Sequence, residues 1–574
     1  MRRAVRAALG AVVVLATVTG IGACARIPTS GPVLEGNADV DTQVDIAMLP
    51  QGPTPGADPQ TIVSGFLGAA AAAATSPKEF QTAREFLTED VSVTWDAEAA
   101  VRVVREAPLA QLTDPGVEIE GADTVEVVVR ATTIATVDSV GTYTEVGDPR
   151  ELGYRFTLVR VGDQWRISVL DDGVIVPANL FANQYRATRL YFPAATDAKS
   201  FVPDLRWFPR RQWRSVAVQQ VLAGPPEWLQ GATQSLVPEG TQLSSASVRE
   251  SDGEEAVAVR LSEQVSAAPA TDRAIIAAQL SATFSEGAGR TVPVDLYSGT
   301  NRLAVDAADV TVPGTAGQAL AVQDGEIKLV TDGVLETYET TADLSAVGDP
   351  TAFAVSPAGS PIVVRDGTDR IVSLGDEGAV EMFEGGDLAA PSVDTFGYVW
   401  TSGSTGALRV RDEETDEFSL KPDWLAGRKV ISVSVAPEGS RVAVVSEAPS
   451  GTQVHVAGIV RDEADKPVSL TPRLSVAAPV DDIEEARWSG STTLALLTRA
   501  ADGTSGVWTA GVGGLAGTGG AARQLTGLTD VEQLAAGVTD QGILVITEGG
   551  QLEHEETGVW QPFAEDVDLV AYPG

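Results

Sequence analysis

The sequence predicts two α+β domains followed by an all-β propeller of about six blades. Three observations carry this. Between residues 60 and 310 apolar residues twice recur at helical spacing and alternate at strand spacing. Beyond residue 315 only strand patterns and turn signals remain. There the segment Phe353-Ala354-Val355-Ser356-Pro357-Ala358-Gly359-Ser360 returns 80 residues later as Val433-Ser434-Val435-Ala436-Pro437-Glu438-Gly439-Ser440, each copy running on into valines. A chain of 574 residues, 44% of them hydrophobic, is too long for one core and apolar enough to fold several.

The chain begins with the basic residues Arg2, Arg3 and Arg6, then runs without charge from Ala7 to Ile21. That stretch falls short of the roughly 20 residues a spanning helix needs, so residues 1–23 read as a signal peptide. It ends in Ile21-Gly22-Ala23-Cys24, a lipobox: small side chains before the cut, and after it a thiol able to take a diacylglyceryl group as a thioether. Cys24, the only cysteine, is therefore the expected lipid attachment site, S-diacylglycerylated and N-acylated, with palmitate among its usual chains. The mature chain is expected at the cell membrane, lipid-anchored on the extracytoplasmic face. Several acyl chains, each buried methylene contributing about 0.8 kcal/mol, hold a folded domain far better than one chain would. With no second cysteine in the chain, stability rests on packing.

Residues 24–59 are rich in Pro, Gly and Asp and read as a flexible tether, with a reach of roughly 30 Å if it behaves as a flexible coil. The formal net charge is −39, and removing three arginines with the signal makes the mature chain more acidic still. Such a surface repels nucleic acid and anionic headgroups, which leaves membrane attachment to the lipid anchor.

Residues 60–185 start with Ile62, Val63, Phe66, Leu67 and Ala70 at helical spacing. Ser76-Pro77-Lys78-Glu79 forms a capping box before a second helix burying Phe80, Ala83, Phe86 and Leu87. Strand patterns follow: Val125, Val127 and Val129, then Tyr154, Phe156 and Leu158, then Trp165, Ile167 and Val169 after the turn Gly162-Asp163. Helices first and a curved antiparallel sheet second suggest an NTF2-like α+β cone.

Residues 186–310 form the second unit. The strand Leu190-Tyr191-Phe192 leads to a helix carrying Val216, Val218, Val221 and Leu222, stopped by Gly224-Pro225-Pro226. The turn Pro238-Glu239-Gly240-Thr241, the strand Ala256 to Ser262, a helix with Ile275, Ile276, Leu280 and Phe284, and the strand Val292 to Leu296 complete it. In this order these features resemble a GerMN domain.

Residues 315–574 carry the propeller. Gly325, Gly359, Gly397, Gly439, Gly490 and Gly542 lie 34 to 52 residues apart and mark one blade each. A ring needs its ends to meet, so Val567 to Tyr572 is expected to complete the first blade.

Chemistry-bearing motifs are sparse. His455 and His554 sit in strand-like repeats with no second ligand at metal spacing. Acid pairs such as Asp412-Glu413-Glu414 and Asp481-Asp482 fit a solvated face, with calcium as the alternative. Gly511-Val512-Gly513-Gly514-Leu515-Ala516 matches a dinucleotide fingerprint but continues as Gly517-Thr518-Gly519-Gly520 and opens no helix, so it reads as an inter-strand loop. The expectation is no enzyme, no cofactor and no metal.

One stretch breaks the acidic pattern. Arg206-Trp207-Phe208-Pro209-Arg210-Arg211-Gln212-Trp213-Arg214 lies in the expected loop before the helix of the second unit. Either its aromatics pack between domains while its arginines pair with acids, or Arg206, Trp207, Arg210, Arg211, Trp213 and Arg214 form a docking patch for a protein or an anionic wall polymer.

The order of lipobox, tether, NTF2-like unit, GerMN-like unit and propeller resembles the LpqB family of actinobacterial lipoproteins, as does the mature start Cys24-Ala25-Arg26-Ile27-Pro28-Thr29-Ser30-Gly31-Pro32. That resemblance implies a link to the MtrA/MtrB two-component system. The expected role is a non-enzymatic accessory that contacts the extracytoplasmic domain of an MtrB-like sensor kinase, tuning phosphorylation of its response regulator in cell-envelope homeostasis and division. The alternative is a wall-facing glycan- or peptide-binding protein, or a hydrolase, that uses the propeller face.

Overall fold

The computed structural model describes residues 50–574, apart from short segments at 76–79, 114–120, 245–247, 251–255, 286–290, 313–316, 332, 376–377, 404–405, 450 and 538–541. The signal peptide, the lipobox, Cys24 and the Ser76 to Glu79 capping box lie outside the described residues. Among those described, no helix is long and apolar enough to cross a membrane. Residues 50–574 belong to one compact unit.

In the first domain, helix Pro59–Ala71 is capped by Asp58, whose Oδ1 accepts from the Thr61 amide at 2.8 Å, and buries Ile62, Val63, Phe66 and Leu67. These pack on a seven-stranded sheet built around the 15-residue strand Thr124–Asp138, with Val125, Val127 and Val129 facing inward. The Phe66 ring meets Trp95 at 5.2 Å and Phe156 at 6.0 Å between centroids. Two expectations need correction. The second helix is a single turn, Gln81–Arg84, because Phe86 and Thr88 exchange backbone bonds with Ile167 (2.9 Å each) and the chain leaves the helix for the sheet. The sheet is mixed, since Val174–Pro177 runs parallel to Ala100–Val104.

The second domain opens with the hairpin Tyr185–Pro193 and Phe201–Pro209, paired along its whole length from Tyr185↔Pro209 to Pro193↔Phe201. Helices Trp213–Ala223 and Ala270–Ser285 cover it, the second bonding through Gln279 Nε2 to the Tyr191 carbonyl. A four-stranded sheet, with Val257–Leu261 parallel to Val294–Ser298 at its centre, closes the core.

The third domain is a six-bladed propeller of antiparallel sheets. Its last strand, Val567–Ala571, pairs with Leu320–Gln323, so the C-terminus supplies the innermost strand of the first blade and closes the ring. Five of the six marker glycines lie at or beside the turn between the first and second strands of a blade. Gly325 instead turns the second strand into the third, because the first strand of that blade comes from the far end of the chain. Six apolar clusters fill the six gaps between neighbouring blades. Within one strand Leu320 faces the second blade and Ala321 the sixth, so both faces are buried. That is why these strands read as valine runs rather than strict alternation.

Candidate functional site

The cluster between the fourth and fifth blades is not purely propeller. It contains Ala194, Val202, Trp228 and Leu229 of the second domain, so domain contact completes that gap. Polar bonds surround it. Arg189 Nε donates to Thr492 Oγ1 at 2.8 Å, and Thr471 Oγ1 donates to the Trp228 carbonyl at 2.6 Å. Arg441, fully buried, pairs with Glu438 at 2.6 Å, stacks on Trp488 at 4.5 Å, and donates to the carbonyls of Pro203 (3.3 Å) and Ser491 (2.8 Å).

All three domains meet at Trp207. Its ring lies 5.7 Å from Tyr143 and 5.1 Å from Phe181, both packed into the core of the first domain. Its Nε1 donates to the Gly513 carbonyl of the propeller at 2.9 Å. The glycine-rich segment after Ser505–Gly511 is thus an inter-strand loop with a packing task. At Gly513 (φ 91) a Cβ would sit 2.5 Å from the Leu205 carbonyl oxygen, and at Gly520 (φ 103) 2.2 Å from the Tyr143 ring. Glycine is required because the other two domains press against the loop.

These contacts bury part of the expected docking patch, as the interdomain-packing reading has it, and the expected loop is corrected. Arg206 to Pro209 are the end of strand Phe201–Pro209 rather than a loop, and Trp213 and Arg214 begin a helix. Arg206, Trp207 and Trp213 are buried. Arg206 pairs with Asp204 at 2.6 Å and donates to the Val140 carbonyl and Gln220 Oε1, both at 3.0 Å. Burial pushes the Asp204 carboxyl upward while Arg206 pulls it back. Trp213 is flanked by the guanidinium groups of Arg186 (4.4 Å) and Arg214 (4.9 Å). Arg210 and Arg214 are partly buried, and Arg211 is exposed.

A carboxylate that the sequence reading passed over seals the rim. Glu145 accepts from the Ala478 amide at 3.1 Å. Burial raises its pKa from 4.5 to about 7, although amides of Ala478, Ala522 and Ala477 pull it down. A raised carboxyl is held neutral in the docked state, and ionisation opposes docking. Its contribution is fully present below 4.5 and lost as pH rises through about 7. Melting temperature measured across this range should fall with rising pH, and Glu145→Gln should flatten the slope; an unchanged slope excludes Glu145 as its source. His455 acts oppositely. Burial, with Arg473 and Arg428 nearby, lowers it from 6.5 to about 3, so its contribution is present above 6.5 and lost as pH falls.

A cavity of about 470 Å³ occupies the propeller axis. At one end Trp488 lies under Arg441, toward the second domain. At the other, the starts of innermost strands bring Glu484, Glu485 and Glu532 together with Arg365 and Arg487. Among the described residues no group of three or more His, Cys, Asp or Glu side chains is arranged to hold a metal ion.

Comparison with known proteins places this architecture. A family model described as the N-terminal domain of lipoprotein LpqB matches residues 52–182, and one described as the LpqB β-propeller domain matches 328–573. Between them a model named Germane, described by sporulation and spore germination, matches 189–297. Lipoprotein LpqB of Bifidobacterium longum (strain NCC 2705) is 28% identical over 476 residues, covering 81% of this chain and 80% of its own. Lipoprotein LpqB of Cutibacterium acnes is 25% identical and covers 100% and 99%. That of Mycobacterium tuberculosis is 28% identical and covers 68% of each.

Proposed function

The chain belongs to the LpqB family of lipoproteins, and from that premise we propose that it is a membrane-anchored, non-catalytic accessory of a sensor kinase. Cys24 carries the lipid and the 24–59 tether keeps the folded body close to the outer leaflet. There the three domains present one composite surface to the extracytoplasmic domain of an MtrB-like kinase and tune its response regulator. The observation that carries this reading is the interlock at Trp207, Arg441 and Glu145. Domains that bind each other through buried polar groups turn as one body, which suits a scaffold whose work is presentation.

Two results test it. Cys24→Ser should release the protein from membranes without changing its melting temperature, since Cys24 precedes the three domains in sequence; a protein still bound after an alkaline wash refutes the anchor. Crosslinking in living cells, with probes on the exposed blades, should recover the kinase's outer domain. Recovery of wall glycan or wall peptide without kinase would overturn this function in favour of wall binding.

A further inference from the structure

The mouth of the axial cavity holds charges that are not all paired. Arg487 is neutralised by Glu485 at 2.6 Å, and Glu484 by Arg499 at 2.9 Å. Arg365 is not paired in this way. Its Nε donates to Thr351 Oγ1 at 2.9 Å and Nη1 to the Leu388 carbonyl at 3.1 Å, so the guanidinium is held in place by neutral groups. No carboxylate among the described residues lies within ion-pair distance of it. Burial pushes its pKa down, with Glu485 and Arg487 close enough to influence it from the blade opposite. Arg365 is thus a half-buried cation held in position with no carboxylate in ion-pair contact among the described residues. Glu532, on the sixth blade at the same mouth, is a carboxylate without a cation among the described residues.

The rest of the cavity wall is strand edge. Pro350–Val355, Val430–Val435, Ile483–Gly490 and Val531–Ala536 are each the terminal strand of their sheet. Their inner edges face the axis and are partly bonded already, the Val435 amide to Ser392 Oγ (3.0 Å) and the Ala486 amide to Ser432 Oγ (3.3 Å), which leaves the charged mouth as the place for a ligand.

We propose that the mouth of the axial cavity binds a short peptide by its ends, Arg365 taking the carboxylate and Glu532 the ammonium. A guanidinium fork matches a carboxylate in a planar, two-bond geometry, and a cation and a carboxylate left unpaired at one mouth match the two charged ends of a peptide, which a neutral sugar lacks. The volume falls within the range of small-ligand sites. This inference does not rest on the kinase reading and stands or falls separately from it.

The test uses the full-length protein in detergent, titrated calorimetrically with tri-alanine, its C-terminal amide and its N-acetyl form. Tri-alanine should bind saturably, the amide at least about tenfold more weakly, as loss of a charge-assisted pair implies. Arg365→Gln should lose binding by a similar factor, while Arg130→Gln, at a surface pair in the first domain, should not. Glu532→Gln, an exposed substitution that leaves the fold intact, should make the acetylated and free peptides bind alike, which keeps the test decisive if Arg365→Gln fails to fold. No saturable binding of tri-alanine up to about 10 mM, a range covering weak ligands, overturns the proposal. So does equal binding of acid and amide, or full binding by a folded Arg365→Gln.

Discussion

Trp207→Ala should destabilise the protein by about 3–5 kcal/mol and break its unfolding into separate steps. Trp207 is 3% exposed and fills the space between Tyr143 and Phe181, so alanine leaves a cavity that neither domain can close alone. It also removes the indole donor to Gly513, leaving that carbonyl buried beside an emptied site. Because the ring serves two boundaries at once, the loss should appear as uncoupling as well as destabilisation. Protease cleavage near residue 185 at temperatures where the wild type resists would show it. Trp207→Phe should keep most of the packing and lose only the hydrogen bond, at about 1 kcal/mol.

Arg441→Met carries the second large effect, about 3–5 kcal/mol, for an electrostatic reason. The Arg441 side chain is 0% exposed and that of Glu438 5%, so removing the cation strands a carboxylate away from water. The carbonyls of Pro203 and Ser491 lose a donor in the same step. Adding Glu438→Gln to Arg441→Met should recover part of the loss, since the buried charge is then gone. Denaturant midpoints of the two single variants and the double variant measure this. A double variant less stable than Arg441→Met would show that the buried carboxylate is not the source of the cost.

What the sequence disclosed follows from where each signal is written. The propeller was legible because its strands are buried on both faces, a constraint that every blade repeats in valines and glycines. Ring closure was legible because an unclosed first blade would leave a strand edge bare. Gly511 to Gly520 was separable from a nucleotide loop because no helix follows it, yet nothing local showed that its glycines make room for Tyr143 and Leu205. The arginine-tryptophan stretch left two readings open for a related reason. Asp204 and Arg206 stand two apart on a strand, on one face, where charges ordinarily mark solvent. Here that face is covered by Val140 and Gln220, 66 and 14 residues away in sequence. Trp207 and Gly513 are separated by 306 residues. Glu145 is one acid among 79, and only its burial against the amides of another domain distinguishes it. Arg365, Glu485, Arg487 and Glu532 come from the second, fifth and sixth blades and become neighbours only when the ring closes. The one trace in the sequence is charge at the start of the inner strands Ile483–Gly490 and Val531–Ala536, where the fourth blade has Ile431 and Ser432.

The interlock is the centre of this account, since scaffold function, the pH slope and both large mutational effects depend on it. Differential scanning calorimetry of the mature protein near pH 6 tests it most directly. The three domains should melt in one cooperative transition that Trp207→Ala resolves into at least two. Separate transitions in the wild type, unaltered by Trp207→Ala, would contradict it.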